Sequence, residues 1–514
     1  MSDITLFPHP QSIESNEGSF TLNADTVIHA QDGFLGEMLA DYLRPATGFP
    51  LPVESTGEAV NSRNVIALVG EKDLDSPEAY RLTVSSDEVV LSASAPTGFM
   101  HGFQTLRQLL PPQILGMERA DGIDWSIPAL RISDAPAFGW RGLHLDVGRH
   151  IFPLAFIKKF IDLLAFYKFN TFHWHLTEDQ GWRIEIKKYP KLTEIGAYRQ
   201  ETCLPRDRRK FDGVPYGGFY TQDQVREAVA YAGERGITVV PEIELPGHSL
   251  AALTAYPELG CVGKDYQVRT SWGIDENIYC AGNDDVFTFL KDVFSEVLEL
   301  FPGEFIHVGG DEAPKKRWKR CPACQARIKA EGLKDEDELQ SWFVRQFDSW
   351  LGERGRRLIG WDEILEGGLA PNATVMSWRG SDGGIEAANA GHDVVMTPTT
   401  YCYLDYYQAE DFASEPPALP RYLPLRKVYQ FVVVPDEIAD DKKHHILGGQ
   451  GNLWTEYIPT SDHLEYMAYP RAIALAEVLW NDPEQRDYGT FLTRLKGHLP
   501  RLDTLGVNYR PLDD

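Results

Sequence analysis

The sequence predicts an α/β protein in which a small α+β domain, residues 1–135, precedes a (β/α)8 TIM barrel, residues 136–514. Two observations predict this fold. From residue 139 onward, short apolar runs alternate with amphipathic segments of helical period, which is typical of repeated βα units around a parallel sheet. Eight such runs occur, and polar or aromatic side chains follow each one, as expected where barrel strands end at a site.

The first 135 residues differ in pattern from the rest. Residues 82–84 and 89–93 are predicted to form two strands joined by a turn, and residues 98–110 a helix that ends before Pro111. No cluster of catalytic residue types occurs in this part. The pattern changes at Asp-Ala-Pro, residues 134–136, where we place the domain boundary.

Each element of the barrel has a local signal. The strands are predicted from apolar runs at residues 143–147, 171–176, 238–243, 305–308, 358–361, 374–378, 394–396 and 446–448. Helices are predicted between them at residues 154–167, 222–235, 286–300 and 336–354. Thr221 and Gln224 form a capping box at the start of the second helix. Eight strands with intervening helices predict a closed barrel.

The composition excludes several classes of protein. The 514 residues carry 50 Lys+Arg and 76 Asp+Glu, a net charge of -26 at pH 7, and so we expect no nucleic-acid or membrane partner. No basic stretch with an apolar run opens the chain, and no apolar run reaches about 18 residues. We therefore expect a cytoplasmic protein, or a secreted or periplasmic one if a native leader was removed.

Six cysteines are few for a disulfide framework in a chain of this length. Cys321 and Cys324 form the only CxxC motif, and no second CxxC or spaced His pair accompanies them to complete four zinc ligands. The sequence therefore favours free thiols or a structural pair here over a zinc site. Cys261 and Cys280 bracket a loop-like stretch, which leaves a disulfide between them open.

Aromatic side chains gather where the barrel strands are predicted to end. Flat apolar rings stack on the C–H faces of a pyranose, while neighbouring carboxylates accept hydrogen bonds from its hydroxyls. The rings at these strand ends are Trp361, Trp378, Tyr403 and Trp454. The alternative to sugar binding is that these rings pack within the barrel. Packing explains a single ring well, but it explains four rings at the strand ends less well. The set predicts a sugar-binding site.

Asp311 and Glu312 follow a Gly-Gly pair that lets the backbone bend at the end of the fourth strand. Most glycosidases place two carboxyl groups about 5 to 9.5 Å apart across the scissile bond, which adjacent residues are poorly placed to do. We therefore expect the two residues to have different roles. One would be the general acid, and the other a carboxylate that acts away from the leaving group. The substrate then supplies the nucleophile, as the 2-acetamido group of an N-acetylhexosamine can. A helix-capping Asp-Glu pair is the alternative.

Four strings occur in a fixed order. They are Asp-Val-Gly-Arg-His at residues 146–150, His-Trp-His-Leu-Thr-Glu-Asp-Gln-Gly-Trp-Arg at 173–183, Pro-Glu-Ile-Glu-Leu-Pro-Gly-His at 241–248 and His-Val-Gly-Gly-Asp-Glu at 307–312. Together they resemble the β-N-acetylhexosaminidases of glycoside hydrolase family 20, over essentially the whole chain. The resemblance implies an exo-acting, retaining hydrolase that removes terminal N-acetylglucosamine or N-acetylgalactosamine from glycans or chitooligosaccharides through an oxazolinium intermediate.

The resemblance implies four catalytic residues. Glu312 would protonate the glycosidic oxygen and later activate water, and Asp311 would hold the acetamido N–H. Tyr403 would donate its hydroxyl to the acetamido carbonyl oxygen. His248 would tune Glu312 through a hydrogen-bonded network that includes Glu244 and Glu178. Glu178 and Glu244 stand where many members have Asp, so each carboxylate is kept on one more methylene.

The resemblance also implies a set of substrate-binding residues. Arg149 would bind the O3 and O4 hydroxyls, and Asp405 and Glu456 would hold the far end of the ring. The full set is Arg149, Glu178, Trp361, Trp378, Asp405, Trp454 and Glu456. Because the sugar is held by its end, this set implies exo action.

Two other classes of function are left open. His173, His175 and His248 would suit a metal-dependent barrel hydrolase, because alternate strand residues share a face. Such sites also use a ligating Lys and further His residues at later strand ends, so we expect no metal and no cofactor. The other class is a carbohydrate-binding or scaffold protein that keeps the pocket without turnover. The oligomeric state is open, with a homodimer through rim loops as one alternative.

Overall fold

A computed structural model describes residues 4–55 and 63–513 of the chain. The chain divides into two compact units. One comprises Met1–Arg141, Asp162–Asn170 and Tyr469–Asp514, and the other Gly142–Ile161 and Thr171–Ala468. The domain boundary at residue 135 stays a prediction.

The first unit is built on a mixed sheet of seven strands within the described residues. Their order across the sheet is Ser12–Thr21, Ser126–Asp134, Tyr80–Val84, Glu88–Ala93, Val65–Gly70, Val27–Ala30 and Val53–Glu54. The two predicted strands pair antiparallel, Val84 opposite Val89. The predicted helix runs over Pro96–Leu109 and lies against this hairpin. The unit also contains helices Gly33–Thr47, Arg471–Trp480 and Tyr488–Thr504.

In the second unit, parallel strands close into a barrel, which confirms the predicted fold class. In chain order the eight barrel strands are Trp140–Asp146, Thr171–His175, Thr238–Leu245, Phe305–Gly309, Arg357–Trp361, Thr374–Ser377, Val394–Met396 and Ile446–Leu453. Each contains or overlaps one predicted run. The third and eighth continue beyond their apolar runs to Leu245 and Leu453.

The four helices predicted between barrel strands are present. They are Leu154–Phe166, Gln222–Gly233, Asp284–Leu300 and Glu336–Gly352. Thr221 and Gln224 form the predicted capping box, and the side chain of Asn283 caps the third helix. No helix in residues 4–55 or 63–513 combines the length and apolar character that a membrane crossing requires.

Shorter elements fill the connections between barrel strands and the segment after the last one. The helices are Lys191–Glu194, Leu250–Ala255, Pro322–Glu331, Asp382–Ala390, Thr399–Cys402, Leu425–Tyr429 and Ser461–Ala468. The strands are Thr177–Glu178, Gly181–Trp182, Tyr198–Arg199, Cys203–Leu204, Asp207–Phe211, Tyr216–Gly217, Tyr406–Tyr407 and Leu419–Tyr422. These connections carry most of the side chains that border the pocket.

The barrel interior holds a polar cluster centred on Glu242. Its carboxylate accepts from His175 Nδ1 at 2.5 Å and from the Trp361 indole at 2.7 Å. His173 Nε2 lies 3.1 Å away and His307 Nδ1 2.9 Å away. Burial lowers the pKa of His175, but Glu242 and Glu178 together outweigh burial and raise it to about 10, whereas burial lowers that of His173 to about 4. The interior therefore contains a charged Glu242–His175 pair beside the neutral imidazole of His173.

Candidate active site

The bend after the fourth barrel strand presents Asp311 and Glu312. Gly309 and Gly310 have φ of 67° and 94°, and Glu312 itself has φ of 45°. A Cβ on residue 309 would overlap the carboxylate of Glu244. Glycine therefore allows the backbone to pass over Glu244 and to set two carboxyl groups at the mouth of the barrel.

His248 links the two carboxylates to the barrel below. Its Nε2 lies 3.4 Å from Asp311 Oδ2 and 3.6 Å from Glu312 Oε2. Its Nδ1 lies 2.8 Å from Glu178 Oε1. Burial lowers the pKa of His248, but the charges of Glu178 and Asp311 outweigh burial and raise the pKa well above its usual value. His248 is thus an imidazolium between acidic groups.

Glu178 lies beneath the pocket and is 1% exposed. Besides His248, its oxygens lie 2.9 Å from Arg149 NH2 and 3.3 Å from His175 Nε2. Burial raises the pKa of Glu178, but Arg149 and His248 hold it well below its usual range. Glu178 is therefore an ionised anchor for Arg149 and His248, and its predicted contact with substrate stays a prediction.

Glu244 has a different electrostatic environment. Burial, followed by the charges of Asp311 and Glu242, raises the pKa of Glu244 well above its usual range. The carboxyl is fully buried behind Gly309. Glu244 is therefore neutral and contributes no negative charge beneath Asp311.

The predicted aromatic rings form two layers. Trp378 and Tyr403 stack with ring centroids 6.1 Å apart and an interplanar angle of 25°. Trp454 and Trp361 have centroids 5.7 Å apart. Trp361 is 1% exposed and donates to Glu242, so this ring closes the bottom of the pocket, whereas Trp378 and Trp454 are part-exposed.

Arg149, Trp454 and Glu456 come together on one side of the pocket. The Arg149 guanidinium lies 5.1 Å from the centre of the Trp454 ring. Burial lowers the pKa of Arg149, but Glu178, Asp146 and then Glu456 outweigh burial and raise it. Burial raises the pKa of Glu456. These groups offer a charged and aromatic wall to a sugar.

Tyr403 lies beside that wall, because an isolated bridge pairs it with Asn452, two residues before Trp454. Burial, followed by the charge of Asp405, raises the pKa of Tyr403 well above its usual value, and Asp311 adds to the effect. The Tyr403 hydroxyl therefore stays protonated and can donate a hydrogen bond. Every predicted site residue lies at this end of the barrel.

Glu363 is a site residue that the sequence analysis missed. It follows the fifth barrel strand, is buried, and accepts from the Trp378 indole at 2.8 Å. Burial, followed by the charge of Asp311, raises the pKa of Glu363 to about 8. A carboxyl two residues beyond Trp361 at a strand end was the signal that could have identified it.

The three histidines of the metal alternative are held by carboxylates. His173 and His175 both contact Glu242, and His248 contacts Glu178. A nitrogen of each ring therefore lies 2.5 to 3.1 Å from a carboxylate oxygen, and the absence of a catalytic metal stays a prediction.

Comparison with known families decides the class of this protein. Residues 138–483 match the model of the glycosyl hydrolase family 20 catalytic domain, and residues 3–135 match that of domain 2 of the same family. The chain belongs to glycosyl hydrolase family 20. The family predicted from the four strings is confirmed.

Characterised members of family 20 resemble the chain along its length. A β-hexosaminidase of Porphyromonas gingivalis is 47% identical over 511 residues, which cover 98% of this chain and 64% of that protein. The chain thus spans less than two thirds of the length of this relative. A β-hexosaminidase of Vibrio furnissii is 39% identical over 480 residues, covering 92% of this chain and 76% of that protein.

Solved family 20 structures share the architecture. The exo-β-N-acetylglucosaminidase of Vibrio harveyi in complex with N-acetylglucosamine has a TM-score of 0.87 and 35% identity, covering 99% of this chain and 78% of that one. A mutant Streptomyces plicatus β-hexosaminidase in complex with product has a TM-score of 0.87 and 30% identity, covering 100% of this chain and 97% of that one.

Proposed function

We propose that this family 20 protein is an exo-acting β-N-acetylhexosaminidase that releases terminal non-reducing N-acetylglucosamine or N-acetylgalactosamine with retention of configuration. One observation carries the proposal. Asp311 is 8% exposed, and its buried Oδ1 accepts no hydrogen bond from any described residue. A buried carboxylate oxygen without a donor is costly unless a ligand supplies one, and an acetamido N–H is such a donor.

Glu312 is the group that faces the leaving oxygen in this proposal. Its side chain is 34% exposed, so a glycosidic oxygen can reach it. The Glu312 carboxyl donates its proton to that oxygen as the bond between oxygen and the anomeric carbon breaks. The acetamido carbonyl oxygen attacks the anomeric carbon from the other face, which gives an oxazolinium ion.

Asp311 and Tyr403 hold the nucleophile during this step. Asp311 accepts the acetamido N–H and so stabilises the positive charge that develops on the ring. The Tyr403 hydroxyl donates to the carbonyl oxygen and directs it toward the anomeric carbon. The Glu312 carboxylate then takes a proton from a water molecule as that water attacks the anomeric carbon. The attack opens the oxazolinium ion and gives the free sugar with its configuration retained.

Arg149, Asp405 and Glu456 form the end of the pocket that would hold the hydroxyls of the terminal sugar. Arg149 is fixed by Glu178 and Asp146, at 2.9 Å and 3.4 Å. A guanidinium that is already held in place loses little entropy on binding a sugar. A closed end of this kind supports removal of one terminal residue at a time.

The proposal is tested with three aryl glycosides carrying the same leaving group. They are a β-N-acetylglucosaminide, a β-N-acetylgalactosaminide and a β-glucoside, measured with one enzyme preparation. We expect turnover of the acetamido sugars and none of the glucoside, because only the former carry a nucleophile. Equal turnover of the glucoside would contradict the mechanism, and turnover of none would contradict monosaccharide release.

A matched pair of variants separates catalysis from binding. Glu312→Gln is expected to lower kcat on the acetamido sugars by roughly 10²- to 10⁴-fold, because the variant has no proton to donate. Glu338→Gln changes a carboxyl in the first turn of helix Glu336–Gly352, and it should leave kcat unchanged. Binding of N-acetylglucosamine should survive in both. Unchanged hydrolysis by the Glu312 variant would refute its role.

A further inference from the structure

Four of the six cysteines come together outside the pocket. Cys324 Sγ lies 3.8 Å from Cys261 Sγ and 3.6 Å from Cys280 Sγ, and Cys280 Sγ lies 3.7 Å from Cys321 Sγ. All four sulfurs lie within 4.8 Å of one another. Three of the residues are buried and Cys261 is half-buried. Cys321 and Cys324 lie at the start of helix Pro322–Glu331.

These distances match a tetrahedron of metal ligands. A zinc ion with four thiolates at about 2.3 Å places neighbouring sulfurs about 3.8 Å apart. Three of the Sγ–Sγ distances in the cluster are 3.6, 3.7 and 3.8 Å. Van der Waals packing of thiols explains one such pair, but four convergent sulfurs with no other ligand type are typical of a metal site.

We propose that Cys261, Cys280, Cys321 and Cys324 bind one structural zinc ion. The sequence favoured free thiols or a structural pair over zinc, because only one CxxC motif is present. The fold supplies the second pair of zinc ligands. Gly260 and Tyr279 form an antiparallel bridge, and the Cys280 N–H donates to the Leu259 carbonyl oxygen at 2.9 Å. The bridge sets Cys261 beside Cys280, as a second CxxC would.

The backbone around the cluster suits thiolates. A Cβ at residue 282 would overlap the backbone of Ala323, so the two chain segments touch directly and glycine is required there. Cys321 and Cys324 occupy the positive end of a ten-residue helix, which favours negative charge on sulfur.

The cluster fastens a segment that reaches the pocket. Residues 262–279 lie between Cys261 and Cys280, and the Arg269 N–H donates to the Asp179 carbonyl oxygen at 3.0 Å. The Trp272 ring lies 5.4 Å from that of His150. Zinc would therefore hold this segment against the helix after the fourth strand without touching the substrate, and its role would be structural.

Metal content and thiol count test the proposal directly. The full chain is produced in zinc-supplemented medium, purified without chelator, desalted, and analysed for zinc and iron by mass spectrometry. We expect about one zinc per chain, and six thiols after unfolding with chelator. Two thiols, with an intact mass lower by four hydrogen atoms, would show two disulfides and overturn the proposal. Six thiols without zinc, or iron in its place, would also overturn it.

Variants assign the ion to the cluster. Cys261→Ser, at the half-buried position, and Cys324→Ser should each lower the zinc content at least fivefold, whereas Cys402→Ser, buried elsewhere, should keep it. Titration of the wild type with a mercurial reagent tests the same assignment without a variant. The zinc released should increase as the reagent modifies the thiols. Full zinc retention in either cluster variant would contradict the assignment.

Discussion

The Nε2 atom of His248 lies 3.4 Å from the Oδ2 atom of Asp311. The other ring nitrogen lies 2.8 Å from Glu178, and both carboxylates raise the pKa of the imidazole against the effect of burial. A fixed positive charge therefore stands next to the carboxylate proposed to hold the acetamido group. We therefore expect His248 to act through Asp311, as a positioning residue.

Replacing His248 by Gln should lower kcat on the order of 100-fold, because Asp311 and Glu312 lose the ring that holds both carboxyl groups in position. KM should change less than kcat, since His248 does not line the sugar-binding end. His445→Gln is the control, because His445 pairs with Asp393 outside the pocket. Steady-state kinetics on an aryl N-acetylglucosaminide decide, and an unchanged kcat would exclude a role for His248.

The Glu363 carboxyl should make activity depend on pH in the alkaline range. The pKa of Glu363 is raised to about 8, so the group is neutral at pH 6.5 and becomes charged as the pH rises through 8. That charge repels Asp311. Glu363→Gln stays neutral and keeps an acceptor for Trp378. The ratio of variant to wild-type kcat/KM should therefore rise roughly tenfold between pH 6.5 and 9. A constant ratio would contradict this.

The barrel was predictable because its signals are local. The caps formed by Thr221 and Asn283 each depend on a few neighbouring residues, and the apolar runs mark the strands wherever the interior is apolar. The run that predicts the third strand ends at residue 243, yet the strand continues through Glu244 to Leu245. Its last positions face a polar interior, which hydrophobic periodicity does not detect.

Groups that meet across the fold were harder to predict. The sequence places Glu363 at a rim but shows neither its contact with Trp378 nor its closeness to Asp311. The thiols of Cys261 and Cys280 meet through a backbone bridge, which has no sequence motif. Such pairings depend on tertiary contacts and not on spacing along the chain.

Glu242→Gln should destabilise the barrel by about 3–5 kcal/mol, because the buried, charged His175 loses its nearest carboxylate and keeps only the longer contact with Glu178. Glu304→Gln, on the surface, should change the free energy of unfolding by less than about 0.5 kcal/mol. Denaturant unfolding at pH 6 measures both values. Equal stability of the two variants would show that the interior pair is not charged.

The same pair predicts how stability varies with pH. The pKa of His175 is raised from 6.5 to about 10 in the folded protein. Its contribution is therefore complete below pH 6.5 and is lost as the pH rises toward 10. The stability difference between wild type and Glu242→Gln should shrink over that range. Unfolding curves at pH 6, 8 and 10 measure it, and a difference that grows with pH would contradict the charge assignment.

Arg149→Lys should weaken substrate binding with a smaller effect on kcat. The guanidinium lies 2.9 Å from Glu178 and 3.4 Å from Asp146, and a lysine ammonium cannot make both contacts in this planar geometry. If Arg149 binds the sugar hydroxyls equally in ground and transition states, KM rises, by about tenfold, while kcat is kept. A substrate lacking the 4-hydroxyl supplies the control. Removing that hydroxyl should cost the wild type more than the variant, because only the wild type has a guanidinium placed to bind it. Equal losses in the two proteins would show that Arg149 does not contact this end of the sugar.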